Sequence, residues 1–355
     1  MATSLTANSP FLAGVIEGFY GLPWPQAARI AYARFLSRLG LNTYLYCPKG
    51  DSVLRRGWRE RWTDSQWQLM REVGEAYSEH ALYWGVGLSP FELYRHYGAQ
   101  ERAALKGKIK YLAGLEAPLF ALLFDDMPGD IDNLAERQAE IVADVLHWMP
   151  GVRLIVCPTY YSFDPVLEKV FGAMADDYWP VLGQTLPDGV EVFWTGNKVC
   201  SDRITAADID AITDRLGRSV TLWDNYPVND SAARCQHLYT HPLADRDPLD
   251  AAGAAGHLCN PMNQAYLSLP ALFGLAGLYG KVPENDLIAG LLGPSFWAQF
   301  SRDAVRFEAQ GLGQLSTAST DDLVEKYSRF DEPAARELVG WLRGEYAFDP
   351  ACLTD

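Results

Sequence analysis

Eight short apolar runs recur between residues 12 and 258 of this 355-residue chain, and each stops at polar, Gly or Pro residues. They are residues 12–16, 41–46, 82–88, 119–124, 152–156, 190–193, 220–222 and the weaker 256–258. Runs of this length between turn-forming residues read as strands. Segments with helical period separate them. Residues 25–39 carry Ile30, Phe35 and Leu36 toward one side and close on Gly40, a C-terminal stop. Thr63 to Gln66 has capping-box spacing ahead of Trp67, Met70, Val73 and Tyr77. Residues 99–114 and 133–148 are further amphipathic runs. Thr205 to Asp208 opens another, with Ile209, Ile212 and Leu216 facing in and Gly217 behind them.

Strands alternating with helices in this way predict a (β/α)8, TIM-like barrel, a fold of about 250 residues. A doubly wound open sheet is the alternative. Its dinucleotide fingerprint is missing, because Gly18-Phe-Tyr-Gly21 lacks GxGxxG spacing, so no nucleotide cofactor is expected. After Pro283 the character changes. Residues 286–307 are apolar and helical, broken at Gly293-Pro294, and 321–330 and 332–346 predict two more helices. The expected organisation is a catalytic barrel over 1–283 and a helical C-terminal subdomain over 284–355.

Composition narrows the function classes. The formal net charge of −15 argues against a nucleic-acid binder and against docking on an anionic membrane. No run reaches the length of a transmembrane helix. The first eight residues show no basic region followed by an apolar one, so no signal peptide is expected and a cytoplasmic setting is. Cys47, Cys157 and Cys259 follow apolar runs, and the chain has no CxxC and no His pair at metal spacing. Buried reduced thiols are expected, with no disulfide framework and no metal site.

In a barrel of this class the C-terminal ends of the strands form the mouth of the active site. Here those ends collect Glu17, Lys49, Asp125, Asp126, Tyr161, Asn225, Asp230 and Asn260, with Trp194 and Trp223. Carboxylates for proton transfer, amides and acids for hydroxyls, and aromatic faces for the C–H side of a sugar make a glycosidase pocket. The set holds no Ser-His-Asp triad and no phosphate loop. Taken singly, each has a plainer reading. An Asp pair commonly caps a turn, Lys49 is a solvated lysine, Tyr161 and Trp223 pack in the core, and the Asn residues start turns. Their recurrence at the same end of successive strands favours a site. Adjacent strand residues point to opposite faces, so Asp125 and Asp126 share a pocket only if the chain leaves strand geometry there. The following Met-Pro-Gly is compatible with that.

With these residues in place, the chain resembles the catalytic domain of glycoside hydrolase family 84, which contains protein O-GlcNAcases and bacterial β-N-acetylglucosaminidases. The matching stretches are GVIEGFYG at 14–21 with Pro23-Trp24, LNTYLYCPK at 41–49, ALLFDD at 121–126 and CPTYY at 157–161. They continue with WTG at 194–196, WDN at 223–225 through Asn229-Asp230, and Asn260-Pro261. The resemblance spans residues from about 11 to about 280. It implies a retaining, substrate-assisted hydrolysis of terminal β-linked GlcNAc, in which the sugar's own acetamido oxygen attacks and an oxazoline forms. It further implies that Asp125 orients the acetamido group and Asp126 serves as acid and then base. Tyr161 would hold the acetamido group and Trp223 would wall its pocket. Gly18 (through its backbone), Lys49, Asn225, Asp230 and Asn260 would bind hydroxyls or brace the pocket. The implied partner is a GlcNAc-bearing glycoprotein or glycoside, with a second copy of the chain as a further candidate.

Three positions depart from the family pattern. Gly50 replaces the first of two acids after the lysine, Tyr160 replaces a Glu, and Ser231 replaces an aromatic. These bear on which GlcNAc substrate is preferred. Two other readings compete. One is a sugar-binding barrel without turnover, and the other is a two-carboxylate glycosidase with Glu17 as nucleophile.

Overall fold

The computed structural model describes residues 10–281 and 286–353. The first eight residues, on which the leader expectation rests, and the expected boundary at 283 lie outside the described residues. Strands β1 (Leu12–Glu17), β2 (Thr43–Tyr46), β3 (Tyr83–Leu88), β4 (Leu119–Leu123), β5 (Arg153–Cys157), β6 (Glu191–Trp194), β7 (Val220–Asp224) and β8 (Gly256–Cys259) pair in sequence order. All pairs are parallel, and β8 returns to β1, closing the barrel. The strands are buried along almost their whole length, as a parallel sheet covered on both faces requires.

The helices form where periodicity and caps predict them. α1 (Gln26–Leu39) ends on Gly40 at φ +69°, whose N–H bonds back to the last turn. α2 (Asp64–Glu79) carries the Thr63/Gln66 capping box. α3 (Ala99–Ala113) and α4 (Leu134–Trp148) follow β3 and β4. One inward assignment fails. Ile30 is exposed, and the buried face of α1 is Ala28, Tyr32, Phe35 and Leu36. Ile30 lies five residues from Phe35, about 140° round the helix, so the two cannot share a face.

Two connections differ from simple alternation. Between β5 and β6 the chain forms α5 (Val166–Phe171) and α6 (Tyr178–Thr185), short helices not signalled by a long amphipathic run. After α7 (Ala206–Leu216) and β7, residues 225–255 form no α-helix. They contain one 3-10 turn at Arg234–Gln236 and a bridge from Ile204 to Arg246. α8 (Leu269–Leu278) closes the barrel part. Beyond it lie α9 (Leu287–Leu292), α10 (Pro294–Ala309), α11 (Thr317–Tyr327) and α12 (Pro333–Leu342). Phe296, Phe300, Phe307, Tyr327 and Trp341 build an aromatic centre for this helical layer. It is continuous with the barrel's core.

α7 gives a clean test of local specification. The Thr205 hydroxyl accepts from Asp208 N at 3.3 Å, while the Asp208 carboxylate accepts from Thr205 N at 2.8 Å. Thr205→Ala should cost about 1 kcal/mol in denaturant unfolding, since it removes the side-chain half of this cap.

Candidate active site

Strand β4 ends at Leu123, and the chain then turns at Asp125 and Asp126. Asp126 has φ +54°, a conformation that side chains other than Gly seldom adopt. That departure from the pleat resolves the geometric objection to adjacent acids. Both carboxylates line one cleft of about 550 Å³ at the C-terminal ends of the strands.

The two acids are held differently. Asp125 Oδ2 forms a buried ion pair with the Lys49 ammonium, contributed by the loop after β2. Its other oxygen, Oδ1, is buried and accepts no hydrogen bond from the described protein atoms. Asp126 is half-buried, and both oxygens accept phenol protons. Tyr20 donates to Oδ2 at 2.9 Å and Tyr161 donates to Oδ1 at 2.8 Å. Burial first, and the Asp126 charge second, push both phenols well above their usual range, so they remain donors at working pH. Arg55 supports the arrangement from below. Its guanidinium donates to the Asp126 carbonyl at 3.0 Å, to Ser89 Oγ at 2.7 Å and to Tyr20 Oη at 3.3 Å.

The opposite side is a network of amides. Asn225 Oδ1 accepts from Trp223 Nε1 at 3.1 Å and from Asn260 Nδ2 at 2.9 Å. Asn260 Oδ1 accepts from Gly18 N at 3.3 Å. The Trp223 ring lies so close to Gly18 that a Cβ there would fall 2.3 Å from it, so only glycine fits. Asp230 accepts from Tyr20 N at 2.8 Å, and burial pushes its acid up to about 6. The nine residues that the family resemblance assigns to the site, Gly18, Lys49, Asp125, Asp126, Tyr161, Trp223, Asn225, Asp230 and Asn260, all line this cleft.

Several residues were missed or misassigned. Tyr20, Thr195 and Arg234 line the cleft without having been singled out. Tyr20 stood inside the first motif, and a polar-tipped aromatic just past a strand end was the available signal. Arg55 carried none, because only the fold of the β2–α2 loop brings it under Asp126. Glu17 turns the other way. It is fully buried, takes two hydrogen bonds from Arg29 Nε and Nη2 at 2.9 and 2.7 Å and another from the Tyr44 hydroxyl, and does not line the cleft. The Glu17-nucleophile reading therefore fails on geometry. Trp194 is likewise core, edge-on to Phe163. Tyr160 donates to Gly172 O at 2.7 Å, away from the cleft lining, whereas Ser231 lines the cleft. The acid after Gly50, Asp51, is occupied by Tyr46, Trp62 and Val53. Among the described residues, no group of three or more His, Cys, Asp or Glu is arranged to hold a metal ion, and no helix is long and apolar enough to cross a membrane.

The family model for β-N-acetylglucosaminidase matches residues 13–287, the barrel and all its strand ends. The chain belongs to the β-N-acetylglucosaminidase family of glycoside hydrolases. It is 29% identical over 278 residues to the protein O-GlcNAcases of Rattus norvegicus and Mus musculus. Those matches cover 76% of this chain and 30% of each relative, so the chain spans about a third of their length. A solved mutant of the Thermobaculum terrenum O-GlcNAc hydrolase superposes with TM-score 0.74 at 29% identity, covering 94% of this chain and 81% of that one. The family assignment agrees with the family 84 resemblance of the motifs, and the structural match extends into the helical layer.

Two predictions follow from the electrostatics. Asp230 carries a raised acid in the folded protein, so its contribution to stability is complete below its unfolded pKa and is lost as pH rises through about 6. Asp230→Asn should therefore stabilise the protein at pH 8, by an amount on the order of 2 kcal/mol, and do little at pH 4 when unfolding is followed by calorimetry. Glu17→Ala should cost about 3 kcal/mol by stranding the largely buried Arg29 charge, and surviving folded protein should keep its turnover number.

Proposed function

We propose that this chain is a retaining, exo-acting β-N-acetylglucosaminidase that uses the substrate's own acetamido group as nucleophile, with O-GlcNAc on Ser or Thr of proteins as its substrate. The observation that carries the reading is the unequal state of the two acids. Asp125 lines the cleft, is tied by one oxygen to Lys49, and keeps its other oxygen, Oδ1, buried and unsatisfied. A buried acceptor of that kind is costly until a donor arrives, and an acetamido N–H is a donor of the right type. Accepting that N–H polarises the amide and raises the nucleophilicity of its oxygen.

The chemistry then divides between residues. The acetamido oxygen attacks C1 as the C1–O bond to the leaving group breaks, and Asp126 gives its proton to the departing oxygen. The resulting oxazoline is opened by water at C1, with Asp126 taking the water proton. Two inversions at C1 retain configuration. Tyr20 and Tyr161 hold the Asp126 carboxylate once it is ionised, since both donate to it. Tyr161 also stands beside the acetamido pocket, which Trp223 walls. Asn225, Asp230 and Asn260 meet the hydroxyls, and the hydrogen bond from Asn260 to Asn225 is already formed. The absence of Glu17 from the cleft supports a mechanism that needs no carboxylate nucleophile from β1. The names of the relatives, O-GlcNAcase and O-GlcNAc hydrolase, support the choice of GlcNAc-bearing proteins over free glycosides.

The test is a series of aryl β-N-acetylglucosaminides together with an O-GlcNAc-modified peptide. Wild-type protein should hydrolyse both and spare aryl β-glucosides. Successive fluorination of the acetyl group should slow turnover progressively. Equal rates across the acyl series would overturn acetamido participation. Asp126→Ala should lose about 10²–10⁴-fold on poor leaving groups and far less on activated ones. A uniform loss would remove the acid role from Asp126. Binding of GlcNAc with no hydrolysis of any glycoside would instead make the barrel a sugar-binding module.

A further inference from the structure

The helical layer touches the barrel at a functionally particular place. Glu337 on α12 is buried, and its carboxyl group accepts from Tyr266 N at 2.9 Å and from Leu267 N at 3.1 Å. Those two N–H groups open the turn that follows β8. Four residues farther along α12, Trp341 Nε1 donates to Cys235 O at 3.1 Å, in the long loop after β7. Glu308 on α10 accepts from Thr240 N and His241 N of the same loop at 3.0 and 3.2 Å. These are the loops that carry Asn260 and Asp230.

Within the barrel the two loops are wired to each other and to β1. Asn229 Nδ2 donates to Gln264 Oε1 at 2.9 Å, and Asn229 Oδ1 accepts from Asn263 N at 3.1 Å. Asn263 Nδ2 donates to Tyr20 O at 2.9 Å and to Leu22 O at 3.0 Å. Tyr20 in turn donates its N–H to Asp230 and its hydroxyl to Asp126. The backbone from Tyr266 back to Gln264 and Asn263, and the hydrogen bonds from those residues onward, therefore join the turn to both Asp230 and Asp126.

We propose that Glu337 is a positioning residue for sugar binding, fixing the turn after β8 and through it Asn263, Asn229, Tyr20 and Asp230. The inference rests on the glycosidase reading above for what the cleft binds. A carboxyl group is an expensive way to fill an apolar contact. Burial pushes this acid up to about 8 even though backbone N–H groups oppose the shift. An apolar side chain would fill the same space without that cost but could not accept from Tyr266 and Leu267. What the carboxyl uniquely supplies is the position of those two backbone atoms, and sugar affinity is sensitive to such placement.

Kinetics on an aryl β-N-acetylglucosaminide and hydrogen exchange on the full chain test this. Glu337→Ala should raise KM by about 5–10-fold with kcat falling by less than about twofold, because Asp126 keeps its bond from the Tyr161 hydroxyl when Tyr20 shifts. Glu337→Gln keeps an acceptor oxygen and should restore most of the affinity. Phe296→Leu, in the aromatic centre of the helical layer, is chosen to lower the melting temperature comparably and should leave KM unchanged. In Glu337→Ala, the amides of 260–268 and 229–239 should lose protection ahead of the rest of the barrel. An unchanged KM with unchanged exchange, or an equal rise in Phe296→Leu, would overturn the proposal. Should the alanine variant not fold, Glu337→Met keeps the volume and removes the acceptors, and the same outcomes apply. If wild-type protein turns over no glycoside, the functional reading falls, and the exchange pattern alone still decides whether Glu337 sets these loops.

Discussion

One backbone torsion makes the site workable. Consecutive residues in a strand face opposite sides, so two adjacent acids ordinarily serve two different environments. At Asp126 the chain takes a left-handed conformation, and both carboxylates reach the same cleft. Such a conformation costs of order 1 kcal/mol and persists only where the surroundings hold it. They do so from three directions. Lys49 holds Asp125, the two phenols hold the Asp126 side chain, and Arg55 holds the Asp126 carbonyl. Tyr20, the pair Lys49 and Arg55, and Tyr161 come from the loops after β1, β2 and β5, so the acid pair depends on barrel closure rather than on the β4 loop alone.

The electrostatics follow from that closure. With a net charge of −15, the protein as a whole repels further negative charge. Inside the cleft the balance is local. A lysine neutralises one acid, phenol protons solvate the second, and the third, Asp230, meets its charge through a backbone N–H and by holding its proton more tightly. Three carboxyl groups thus coexist in a small volume with three distinct solutions to desolvation.

The legible and illegible parts of the chain separate on physical grounds. The barrel could be read because each strand is a compact apolar run with a punctuated end, and the capping boxes at Thr63 and Thr205 mark helix starts directly. The cleft residues could be read because they sit within a few positions of those ends. Arg55 could not, because its role depends on how a loop folds back. Glu17 was read as a cleft candidate because position past a strand names a place but not a side of the sheet. The short helices α5 and α6 lacked a long amphipathic face, and the long excursion after β7 lacked any helical period because none forms there. The path from Glu337 to Tyr20 joins positions more than three hundred residues apart in sequence, with no local pattern to betray it.

Tyr20 has a consequence of its own. Its hydroxyl donates to Asp126 and its backbone N–H donates to Asp230. One residue therefore ties two carboxyl groups from different strand-end loops together. A shift of that residue moves a donor of each, so neither acid can be retuned alone from the β1 side.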